Sequence, residues 1–215
     1  MEPAAEHSRR LLAASLAVTL PLGGFLALGA AVSLDGKLRL DEVAFDLLRR
    51  YAPDVPLLVG SADIIRWVTI AGAALALGLF AILLVRRCAR EAAFWAASLV
   101  GTLALDPVLK EAVRRPPIDP ADTVSGYSFP SGSAMWSMAA LAALTLLARS
   151  TRLRLISVAL GAPVVLAYGV SIVYERWHFA SDVLAGWCIA LAWVSGLWFV
   201  LIDPPRRQRG LPGER

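Results

Sequence analysis

Apolar residues run uninterrupted by charge through residues 11–33, directly after the basic pair Arg9 and Arg10. A membrane-spanning helix needs about 20 such residues, so this run predicts a first span. Small residues around Gly29 to Ala31 resemble a leader cleavage site, but the run exceeds an ordinary leader core, and a retained helix is expected. Further apolar runs bounded by charge or proline predict spans within 64–85, 92–109, 133–148, 155–174 and 179–202. Between 38 and 51 the pattern changes. Leu40, Val43, Ala44, Leu47 and Leu48 recur at helical spacing among Asp41, Glu42, Asp46, Arg49 and Arg50, predicting a short amphipathic helix lying at the membrane interface. The expected fold is all-α: an integral membrane six-helix bundle plus that interfacial helix, in a single domain over 1–215 with flexible cytoplasmic ends at about 1–8 and 204–215.

Composition agrees with the pattern. With 58% hydrophobic residues and a mean hydropathy of +0.63, the chain is too apolar for a soluble domain, whose surface must carry charge. A formal charge of +4 would suit nucleic acid if it formed one basic surface, but the arginines sit in short clusters between spans. Arg9–Arg10, Arg86–Arg87–Arg90, Arg149–Arg152–Arg154 and Arg206–Arg207–Arg209 fall on one side if six spans alternate. Positive residues favour the cytoplasmic side, so both termini are expected there, in a multi-pass cell-membrane protein. The links 35–63, 110–130 and 175–178 then face the periplasm or exterior. Cys88 and Cys188 should lie at different depths and cannot bridge. With His7 and His178 the only histidines, no transition-metal cluster and no cofactor is expected.

Candidate chemistry collects at the outer span ends: Lys110, Arg114, Arg115, Ser131, Gly132, Ser133, Arg176, His178 and Asp182. Ionisable groups at membrane depth are costly, which favours a functional reading; the cations also fit anchors that snorkel to headgroups. In a helix beginning near His178, Asp182 is one turn away and can hold one imidazole nitrogen, leaving the other as nucleophile or base. The same two residues fit an interfacial histidine and a carboxylate favoured by the helix dipole. The segment from Phe129 to Ser133 passes from a loop directly into an apolar helix whose free N–H groups can bind phosphate, aided by the Ser131 hydroxyl. A plain N-cap through Ser131 or Ser133 is the simpler alternative. Charges do not collect in the middle of spans in two matching halves, which disfavours a transporter; Asp106, before Pro107, belongs to the outer end of span three.

Taken together, Lys110 with Arg115–Pro116, then Phe129–Pro130–Ser131–Gly132, then Ser171 through His178 to Asp182 resemble the three-part signature of the type-2 phosphatidic acid phosphatase superfamily, over about residues 109–187. The resemblance implies a phosphohydrolase in which His178 attacks phosphorus, Asp182 orients it, and Lys110, Ser131 and Gly132 hold phosphate. Three positions depart from the family pattern. After Lys110 and six intervening residues the family has Arg-Pro, whereas this chain has Pro117–Ile118; Arg115, two positions early, is the candidate guanidinium for phosphate. The family's second motif ends in a histidine that protonates the leaving oxygen; here stands Ser133, whose hydroxyl cannot do so near neutral pH. The third motif's arginine is replaced by Ile172. Arg176, one turn on if the helix continues, is the candidate substitute.

A missing acid matters most for a monoester, whose alkoxide leaves poorly, and less for a diphosphate. The expected substrate is therefore a lipid phosphate or a prenyl or glycerolipid diphosphate, with membrane lipids as partners and no nucleic acid. The alternatives are a lipid phosphotransferase using the same histidine and a degenerate phospholipid-binding protein.

Overall fold

Each apolar run closes its backbone hydrogen bonds within one helix, as lipid requires, because hydrocarbon offers a free N–H or C=O no partner. The computed structural model of the chain describes residues 2–51, 61–118 and 126–203, and every regular element among them is helical. In order these are α1 (Glu2–Asp35), α2 (Arg39–Tyr51), α3 (Ser61–Val85), α4 (Ala89–Val113), α5 (Gly132–Leu147), α6 (Thr151–Tyr174) and α7 (Ala180–Leu197). A π-helical turn, Trp198–Ile202, extends α7.

Helices α1, α3, α4, α6 and α7 with its extension are long and apolar enough to cross a membrane, while α5 is a shorter apolar helix. Its 16 residues span about 24 Å at 1.5 Å per residue, less than a hydrocarbon core of about 30 Å. The six expected spans are therefore present as apolar helices, five of them of full length. α1 reaches back to Glu2, through the segment expected as a flexible end. The expected tail 204–215, with Arg206, Arg207 and Arg209, lies outside the described residues, as do 52–60 and 119–125 of the outer links.

α7 is the central helix, packed along α1 and α5; α5 also touches α4 and α6, and α3 rests against α4 and α6. Small residues permit this closeness. A Cβ on Gly186 would stand 2.7 Å from the Ser131 carbonyl oxygen, so only glycine lets α7 approach the start of α5 this tightly. Two indoles add bonds between helices: Trp95 donates to Ala76 O at 3.0 Å and Trp193 to Ala97 O at 3.1 Å. Outward-facing leucines such as Leu20, Leu75 and Leu160 are 67%, 75% and 69% exposed. Water would penalise such a surface, and lipid does not.

α2 carries three faces. Asp41, Phe45 and Leu48 turn inward; Leu40, Val43 and Leu47 form an exposed apolar stripe; Glu42, Asp46 and Arg49 form the polar side. The stripe is what an interfacial helix presents to lipid, and the inward face docks α2 onto α6 and the beginning of α7.

Candidate functional site

Three chain segments converge at one end of the bundle. α4 stops at Arg114, which adopts a left-handed conformation (φ 56°) and donates its N–H to Lys110 O. That turn sends Arg115 inward. Ser128 then closes the loop base, its N–H on Arg115 O at 2.9 Å and its hydroxyl on Pro116 O at 3.2 Å. Phe129, fully buried, stacks near Phe25 of α1 with ring centroids 5.8 Å apart. Next, Ser131 N–H donates to Asp182 O at 3.0 Å, fastening the start of α5 to the first turn of α7.

His178 lies in the short connection between α6 and α7. α6 ends at Tyr174, and Arg176 takes a left-handed φ of 60°. Phe179 N–H donates to Asp182 Oδ2 at 3.0 Å, so the Asp182 carboxylate satisfies a free donor at the α7 N-terminus and complements the helix dipole there. The same Oδ2 lies 3.6 Å from His178 Nδ1. That distance exceeds a hydrogen bond, and among the described residues Nδ1 is buried without a hydrogen-bond partner. The imidazole is 13% exposed and Asp182 is fully buried. The pair predicted from spacing is therefore adjacent, and His178 is the member reachable from outside.

Arg115 is 3% exposed, and its donors are directed into protein. Nε reaches Gly36 O at 3.0 Å, Nη1 reaches Ser181 Oγ at 2.8 Å and Asp182 Oδ1 at 2.5 Å, and Nη2 reaches Asp41 Oδ2 at 2.6 Å. The Phe179 ring lies beneath the guanidinium, 3.8 Å from Cζ to centroid. The sequence suggests a phosphate ligand; the structure places Arg115 as a buried tie among α2, α7 and the turn after α1.

Lys110 Nζ pairs with Asp106 Oδ2 at 3.1 Å, one turn back on α4. Among the described residues Asp106 Oδ1 is buried without a hydrogen-bond partner, and this carboxylate faces Gly132, where a Cβ would come within 2.6 Å of Oδ1. Ser131 is the N-cap of α5: its Oγ accepts Ala134 N–H at 3.4 Å and stands 3.2 Å from Ser133 Oγ. Ser131 is buried, whereas Gly132 and Ser133 are partly exposed. Lys110, Asp106 and the beginning of α5 thus form one polar corner, joined to the histidine loop through Ser131 and Asp182.

Arg176 stands elsewhere. Because α6 ends before it, the one-turn relation to Ile172 does not arise, and Ile172 is fully buried in an apolar cluster with Ile65, Ala134 and Val183. The Arg176 guanidinium lies 5.5 Å from the Phe45 ring centroid, and it borders a pocket of about 410 Å³ lined also by Glu42, Asp46, Arg49 and Tyr174.

Sequence reasoning missed Asp41 and Ser181. Asp41 is 1% exposed and Ser181 fully buried, and both bond to the Arg115–Asp182 pair. One signal was available: Asp41 shares the inward face of α2 with Phe45 and Leu48, a place where a charge requires a buried partner.

Residues 110–206 match the family model described as the PAP2 superfamily, an interval that contains Lys110, the α5 start, His178 and Asp182. The match points to phosphatase-type activity on phosphorylated substrates. No curated protein and no solved structure matches the chain significantly.

Proposed function

We propose, from the PAP2 superfamily match over residues 110–206, that this protein is a lipid phosphate or lipid diphosphate phosphohydrolase working through a phosphohistidine on His178 at the extracytoplasmic membrane face. The observation that carries the reading is the partly exposed His178 with Nδ1 beside the buried carboxylate of Asp182. Asp182 Oδ2 holds Nδ1, and Nε2 attacks phosphorus. Catalytic contacts are often long without substrate and tighten in the complex, so the 3.6 Å gap shortens on binding.

In the first step a P–N bond forms and the bond from phosphorus to the leaving oxygen breaks. In the second, water attacks the phosphohistidine, releases inorganic phosphate and restores the imidazole. Lys110 and the free N–H groups of Gly132 and Ser133 receive the phosphoryl oxygens, where charge accumulates in the transition state. Arg176, at the rim near α2, draws the anionic headgroup toward the site. A diphosphate suits a site with Ser133, because the departing lipid phosphate needs less help from an acid than an alkoxide does.

Packing and charge support the proposed orientation. Arg90 Nη2 donates to Leu201 O at 2.7 Å, joining the start of α4 to the end of α7. Arg86, Arg87 and Arg90 therefore gather at the end of the bundle opposite His178, and that end is cytoplasmic by the positive-inside tendency. On this reading the start of α1 and the end of the α7 extension also face that side.

The test is phosphate release by detergent-purified protein from phosphatidate, diacylglycerol pyrophosphate and prenyl pyrophosphates with chelator present, compared with His178→Ala. The expected result is chelator-resistant turnover and an acid-labile phosphoryl label on the protein, both lost in the variant. Turnover that survives His178→Ala would overturn the mechanism. Lipid-to-lipid transfer without phosphate release would make the protein a transferase.

A further inference from the structure

The PAP2 superfamily match begins at residue 110, yet the Asp182 carboxylate is held through a residue far outside it. Asp182 Oδ1 receives Arg115 Nη1 at 2.5 Å, while Oδ2 receives Phe179 N–H and faces His178. The direction of Oδ2 therefore depends on where Arg115 stands. Arg115 is set in turn by Asp41, whose Oδ2 receives Nη2 at 2.6 Å. Asp41 also acts on α7 directly: its Oδ1 accepts Ser181 N–H at 2.8 Å and its Oδ2 accepts the Ser181 hydroxyl at 2.9 Å. With Leu38 N–H on Oδ2 at 3.2 Å, Asp41 accepts from the chain before α2, from Arg115 and from the first turn of α7.

We infer that Asp41 is a positioning residue for the His178–Asp182 pair, so that α2 is a working part of the site and not only a membrane-surface helix. Burial of two carboxylates around one guanidinium is a poor way to gain stability, since apolar residues of similar volume often serve as well. What the arrangement supplies is direction. A planar guanidinium with fixed donors locks the rotation of both carboxylates, and the Phe179 face 3.8 Å below prevents it from tilting. Ser181 precedes Asp182 in the chain, so the bonds from Asp41 to Ser181 fix the backbone that presents Asp182 as well as its charge partner.

The inference rests on the proposed phosphohydrolase reading for its kinetic test and is separable from it by spectroscopy. Asp41→Asn keeps the shape but weakens the hold on Arg115. Expected is a fall in kcat of about 10- to 100-fold, the scale of misplaced reacting groups, with KM nearly unchanged. In an Asp182→Asn background the same change should cost almost nothing further, because both act through one carboxylate. Equal losses in both backgrounds, or an unchanged kcat, would overturn the inference.

Because the chain has only two histidines, the ¹⁵N imidazole resonances of His178 can be assigned with His7→Gln. The Nδ1 resonance is expected to move in Asp41→Asn even if no lipid is turned over; a folded variant with an unmoved resonance overturns the proposal. Should Asp41→Asn not fold, Ser181→Ala removes the hydroxyl between Asp41 and Arg115 and is read the same way, with a smaller kcat loss and a moved Nδ1 resonance expected, and no change in either contradicting the proposal.

Discussion

The carboxylate of Asp106 lies against the α carbon of Gly132: a Cβ at that position would stand 2.6 Å from Oδ1 and 2.8 Å from Cγ. Lys110 holds the same carboxylate through Oδ2 at 3.1 Å. The end of α4 and the start of α5 therefore meet in a space that only glycine leaves open. Gly132→Ala is expected to push Asp106 aside, break its pairing with Lys110 and destabilise the protein by about 1–3 kcal/mol, the usual cost of overpacking. Thermal unfolding in detergent measures the last of these effects. A raised KM for lipid phosphate measures the second, because Lys110 would no longer be held beside the α5 N-terminus.

Arg115 offers a sharper stability test. Its guanidinium is the partner of two carboxylates that are 1% and 0% exposed at the side chain. Arg115→Met removes the cation and leaves both buried charges without it, a loss of about 3–5 kcal/mol. Arg115→Lys retains the charge but cannot reach Asp41, Asp182 and Gly36 O together, and is expected to recover only part of that loss. Unfolding midpoints for both variants check the ordering. A lysine variant as stable as wild type would show that charge alone, without the forked geometry, holds these helices together.

The membrane architecture was legible in the chain because hydrophobic length and charge spacing are local properties. Even α2 could be read, since its Leu40, Val43 and Leu47 stripe recurs within a few residues. Helix ends were less accurate: span three was expected to end at 109, whereas α4 continues to Val113 and stops where Arg114 turns left-handed. The N-terminal segment expected as an end is helical from Glu2.

The site was legible in part. His178 and Asp182 are four residues apart, a relation that survives any helix start nearby. The role of Arg115 was not readable, because its partner Asp41 is 74 residues away and becomes a partner only when α2 docks. For Arg176 only the expected geometry changes. Its assignment relied on α6 remaining helical, and the helix ends two residues earlier, leaving the side chain over Phe45.

Lys110 should separate binding from chemistry. Its ammonium is 18% exposed at the side chain and sits at the corner where the phosphoryl group is proposed to lie. Lys110→Met removes the cation but keeps the apolar stem. Both KM and kcat are expected to worsen, with kcat/KM down about 10²-fold, as when one donor to a developing oxyanion is lost. Steady-state kinetics on a diphosphate lipid would show this. A variant with unchanged kcat/KM would return Lys110 to the role of an interfacial anchor.

Ser133 gives the clearest test of how the site handles the leaving group. It follows Gly132 at the partly exposed beginning of α5, and its hydroxyl stands 3.2 Å from Ser131 Oγ. Neither hydroxyl is acidic enough to protonate a departing alkoxide near neutral pH. A diphosphate releases a lipid phosphate that needs little protonation, so wild-type turnover is expected to favour diphosphates over phosphatidate. Introducing an imidazole by Ser133→His supplies the missing donor, and general acid help is worth about 10²–10⁴-fold when well placed. An unoptimised histidine should deliver only part of that, and should deliver it selectively: monoester hydrolysis rises while diphosphate hydrolysis changes little. The ratio of the two rates, measured on the same preparation, cancels differences in folding and active fraction. A ratio that does not move toward the monoester would mean that leaving-group protonation is supplied by another group, with Asp106, whose Oδ1 is buried beside Gly132 and unpartnered among the described residues, the first residue to substitute.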